Sequence, residues 1–88
     1  MNNYLTSEEA ATLSRLLSTG TAQAIRERAG YTETDFASRI GVTGRTLRSW
    51  ENNRTTPRTY AARKYLKELR HASDAIVQNY RARRSGHR

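Results

Sequence analysis

The sequence predicts an all-α fold, and three observations carry that prediction. No stretch of the 88 residues alternates apolar and polar side chains over several positions, and the β-branched residues are scattered. Residues that start and stop helices recur at short intervals, with threonine at 6, 32 and 43 and glycine at 20, 30 and 41. The only proline, Pro57, is followed by a long run with an apolar residue every three or four positions. The expected architecture is compact, with five to six helices. It includes an extra helix at the N-terminal end and a long helix at the C-terminal end.

Each element has its own local signal. Leu5-Thr6-Ser7-Glu8-Glu9 offers a capping hydroxyl, a glutamate three positions on and a leucine able to staple the turn. The helix that follows would present Ala10, Leu13, Leu16 and Leu17 on one face and stop near Gly20. A second helix is expected from Thr21 to Ala29, with Ala22, Ile25 and Ala29 inward. Thr32 caps a third, whose buried stripe is Phe36, Ala37 and Ile40, and Thr43 caps a fourth, with Leu47 and Trp50 inward, ending around Asn52 and Asn53. Beyond Pro57, Ala62, Tyr65, Leu69, Ala72, Ile76 and Tyr80 form a stripe on a helix over about residues 58–82.

The spacing in the middle of the chain is the informative part. Two short helices meet across Gly41 and Val42, and Gly41 can take a positive φ without steric cost. Ala37 is small where crossing helices need close backbones. This is the helix-turn-helix arrangement.

Charge points to the class of partner. The net charge is +8, and residues 58–88 hold nine bases against two acids. Such a balance favours a polyanion, usually nucleic acid, through phosphate contacts and counterion release. The absence of cysteine excludes disulfides and thiolate metal sites. No apolar run suits a membrane span, and the first residues do not read as a signal peptide, so a cytoplasmic location is expected. His71 and His87 are too isolated for metal or acid-base work. Without paired carboxylates, an activated nucleophile or a phosphate loop, neither enzyme activity nor a cofactor, metal or small-molecule ligand is expected.

Residues 23–57 resemble the Cro- and phage-repressor-like (XRE) helix-turn-helix family. The resemblance rests on Ile25-Arg26-x-x-Ala29-Gly30, Phe36-Ala37-x-x-Ile40-Gly41-Val42-Thr43 and Trp50-Glu51-Asn52-x-Arg54-x-x-Pro57 standing in register. It implies a lambda-repressor-like domain over residues 21–70, between an N-terminal helical extension (1–20) and a C-terminal helix extension with a basic tail (71–88). It further implies that the helix from Thr43 enters the major groove of double-stranded DNA. Base readout then falls to Gly44, Arg45, Arg48 and Ser49, with Arg45 favoured to bridge guanine and Gly44 permitting close approach only. Phosphate contacts fall to Thr32, Thr43, Asn52, Arg54 and Thr55, and Arg58 stands where some relatives reach the minor groove.

This sequence departs from the family at Glu33, where glutamine is usual. A carboxylate there repels phosphate, and it is expected to turn away and serve the helix dipole. Asn53 replaces a common glycine but tolerates the left-handed conformation. Trp50 reads as core, and Glu51 as the partner of a neighbouring arginine such as Arg26. Arg26, Arg28 and Arg39 divide between solvated surface and phosphate contact.

The second half of the long helix extends past what so small a core needs. Leu69, Ala72, Ile76, Val77 and Tyr80 are therefore assigned to a homodimer interface, with folding back onto Leu13 and Leu17 as the alternative. Residues 81–88 read as a disordered basic arm. The functional expectation is a dimeric repressor of a phage or mobile-element operon that reads a palindromic operator. An antitoxin, an architectural or recombination accessory protein and an RNA-binding protein remain the alternatives.

Overall fold

A computed structural model describes residues 5–86, with side chains described as far as Ala82. The first four residues of the expected N-terminal extension, and His87 and Arg88 of the expected arm, lie outside the described residues. Among the described residues five helices follow one another: α1 (Ser7–Ser18), α2 (Thr21–Arg28), α3 (Glu33–Ile40), α4 (Gly44–Glu51) and α5 (Thr59–Gly86). No described helix is long and apolar enough to cross a membrane.

Helices α1, α3 and α4 start where a threonine hydroxyl caps them, whereas α2 starts at Gly20 without a side-chain cap. Thr6 and Glu9 make a full capping box: the Glu9 amide donates to the Thr6 hydroxyl at 3.1 Å, and the Thr6 amide donates to the Glu9 carboxylate at 3.0 Å. The latter bond, above all, holds the Glu9 carboxyl below its usual pKa. Thr32 and Thr43 cap α3 and α4 by accepting from the amides of Asp35 and Thr46. Gly41 ends α3 at φ 88°, which a side chain would strain, and the amides of Gly41 and Val42 both donate back to the Ala37 carbonyl. Asn53 takes φ 59° just past α4, as expected of its tolerance for that region.

Each helix contributes to one core. Leu13 and Leu17 of α1, Ala22 of α2, Phe36, Ala37 and Ile40 of α3, and Leu47 and Trp50 of α4 close around α5. At their centre Tyr65 is fully buried, stacked on Trp50 at 5.2 Å between centroids and edge-on to Phe36 at 6.2 Å. Its hydroxyl has no hydrogen-bond partner among the described residues. Burial, with the charge of Glu51 adding to it, raises the phenol pKa well above its ordinary value. A buried donor without a partner costs stability, so Tyr65→Phe should leave urea-unfolding stability unchanged or raise it by up to about 1 kcal/mol. A clear loss would show that the hydroxyl is satisfied.

Three sequence expectations change. Ala10 is exposed, so the inner face of α1 rests on Leu13 and Leu17, with Leu16 partly covered. Residues 81–86 continue α5 as helix, because arginine and alanine are good helix formers and no breaker intervenes before Gly86 at its end. Leu69 and Ala72, expected at the dimer interface, are buried in the chain's own core and so are already covered. Beyond Ala72 the helix runs clear: Ile76 is half-buried, and Val77 and Tyr80 are 45% and 60% exposed. At 28 residues α5 spans about 42 Å, and it sets the 46 Å long dimension of the molecule.

Candidate nucleic-acid interface

What holds α4 in place is its inner face. Leu47, Trp50 and Glu51, spaced i, i+3, i+4, are all buried. Glu51 is fixed from the other side by Arg26 of α2, whose Nε donates to Oε2 at 2.7 Å and whose Nη2 donates to Oε1 at 3.1 Å. Both side chains are nearly inaccessible. The remaining Nη1 donates to the Tyr31 carbonyl at 2.8 Å, tying the pair to the loop before α3. The Glu51 hydrogen bonds raise the pKa of Arg26, which burial alone would lower. Arg26 is therefore neither surface nor phosphate ligand; it is the strut behind α4.

The same spacing turns residues 45, 48 and 49 outward. Arg45 is exposed and has no hydrogen-bond or ion-pair partner among the described residues. Arg48 is also exposed, but it is engaged: Nε and Nη2 donate to Glu33 Oε1 at 3.2 and 3.0 Å. Ser49 is half-buried, with its hydroxyl 2.8 Å from that of Thr55. Gly44 faces α3, since a Cβ there would meet the Thr34 hydroxyl at 3.5 Å. Helix α4 therefore approaches α3 closely at this point.

The expected phosphate ligands ring this face. The hydroxyls of Thr32 and Thr43 cap α3 and α4, and that of Thr43 also donates to the Thr46 hydroxyl at 3.0 Å. Asn52 ends α4, and its exposed side chain has no hydrogen-bond partner among the described residues. The amides of Arg54 and Thr55 donate to the Ser49 carbonyl at 2.9 and 3.5 Å, so the loop is laced to the helix end. Arg54 and Arg58 are exposed and unpaired among the described residues. Arg28 is exposed as well, whereas Arg39 lies over the Tyr31 ring at 4.8 Å and pairs with Glu68 at 3.7 Å.

Sequence reasoning missed two features of this surface. Glu33 does not turn away; it occupies the first turn of α3 yet reaches across to Arg48. The contact spans 15 residues, and only the crossing of two helices brings it about. Thr46, which carries a hydroxyl between Arg45 and Leu47, was passed over; its i+3 spacing from the Thr43 cap was the available signal.

Among the described residues no cluster of three potential metal ligands occurs. What the face presents is a row of donors on one short helix, with cations at its flank. Those properties suit an anionic partner with acceptors in its groove. Comparison with known proteins agrees in kind. A family model described as helix-turn-helix matches residues 23–71, more than half of the chain. No curated protein and no solved structure matches it.

Proposed function

Because the chain belongs to the Cro- and phage-repressor-like (XRE) helix-turn-helix family of DNA-binding transcription regulators, we propose that it is a dimeric repressor reading a palindromic operator. The observation that carries this reading is the outward row of α4, where Arg45 stands exposed and unengaged just past the capped start of the helix. Arg45, Arg48 and Ser49 are its base-contacting residues, and Gly44 lets the backbones come close. Thr32, Thr43, Asn52, Arg54, Thr55 and Arg58 hold the phosphates. Residues 21–70 form the DNA-binding domain, flanked by the N-terminal extension and the far end of α5.

The dimer rests on Ile76, Val77 and Tyr80, where α5 has left the core. A two-fold pair would set two α4 helices one DNA turn apart, which is the geometry a palindrome requires. Repression by occupancy of the operator is the output proposed, as in the autoregulators of phages and mobile elements. A monomer in light scattering at micromolar concentration, both free and on DNA, would overturn the dimer.

The grip and the reading should separate by salt. Binding to duplex DNA should weaken linearly in log–log titration against salt. Arg54→Ala should weaken binding to all sequences alike and reduce that slope by about 1. Salt-independent binding would contradict a phosphate-anchored mode.

A further inference from the structure

Glu33 and Arg48 stand on opposite arms of the helix-turn-helix and close across it. Their side chains are 28% and 68% exposed, so the pair lies in water's reach and contributes little to stability. Its consequence for Arg48 is chemical. A guanidinium has five N–H donors, and Glu33 engages one on Nε and one on Nη2. Three remain, directed away from Glu33.

A free arginine is drawn to phosphate by its full charge and to guanine by hydrogen-bond geometry. Paired with a carboxylate, it keeps its geometry and its charge, but the pair as a whole is neutral and draws phosphate less. The carboxylate itself also repels phosphate oxygens. The neutral acceptors O6 and N7 of guanine feel no such repulsion. We propose that Glu33 is a specificity-determining residue, clamping Arg48 so that it reads a guanine edge and does not grip the backbone. The inference rests on the DNA-reading function proposed above. It divides the labour on α4 between Arg45, free to adapt, and Arg48, held in place.

The test is enrichment of duplexes from a random pool by the wild type, Glu33→Gln, Arg48→Ala and the double variant, with salt titrations of each. Glutamine keeps the shape of glutamate and removes its charge. Glu33→Gln should bind random duplex several-fold more tightly, with a salt slope steeper by about 1. Its preference at one base pair of each half-site should fall by about tenfold. Arg48→Ala should lose preference at that same base pair, and Glu33→Gln should then change it no further. Thermal midpoints should be alike throughout.

An unchanged motif and slope in Glu33→Gln would overturn the proposal. So would equal weakening on every duplex, which is the mark of a merely structural residue. A wild type that enriches no motif at all would overturn the DNA-reading function itself, and the inference with it.

Discussion

Glu51→Ala is expected to destabilise the chain by about 3–5 kcal/mol, a large share of what so small a domain has. The substitution removes a carboxylate that accepts two hydrogen bonds from Arg26 and leaves the guanidinium buried without its counter-charge. The cost arises from that stranded charge more than from the attraction lost. Glu51 also closes the last turn of α4, and Arg26 reaches on to the Tyr31 carbonyl, so the change loosens the seat of the whole helix. Urea unfolding of the variant checks this directly. Replacing both partners with apolar residues of similar volume, as in Arg26→Met with Glu51→Leu, should restore much of the loss. A single-variant loss below about 1 kcal/mol would mean that water reaches the pair.

Arg45→Ala is expected to act on recognition and leave folding alone. Its side chain is exposed and holds no partner among the described residues, so truncation strands nothing. On DNA it should lower discrimination at one base pair per half-site by about 1–3 kcal/mol, or roughly 5- to 150-fold. Competition between the selected duplex and duplexes changed at single positions would measure it. Uniform weakening over all of them would make Arg45 a phosphate ligand instead.

The elements that sequence reading placed well are those fixed by neighbours in the chain. Thr6 and Glu9, the caps at Thr32 and Thr43, the turn at Gly41 and the left-handed Asn53 each depend on a few adjacent residues. Period also located the inward faces of α3 and α4, because a buried stripe must recur every three or four positions. The Arg26–Glu51 contact is expected from the sequence as an ion pair with a neighbouring arginine, but its burial is not, since only Leu47 and Trp50 read as inward on α4.

What sequence reading could not place depends on how helices cross. The stripe on α5 is continuous, so nothing local shows that the buried core ends at Ala72 and leaves Val77 and Tyr80 exposed. The Glu33–Arg48 contact is invisible for the same reason, since it needs α3 and α4 at their actual angle. Both gaps bear on the proposed function: one moves the proposed dimer surface outward, and the other pairs Arg48 with Glu33 in the free protein.

The central claim is that α4 reads the major groove. The most direct measurement is dimethyl sulfate footprinting on the selected duplex, because the reagent attacks guanine N7 in the major groove and adenine N3 in the minor. The wild type should protect a guanine N7 in each half-site, and Arg45→Ala should lose protection at one of them. Protection confined to adenine N3, or guanines equally reactive with and without protein, would contradict the account.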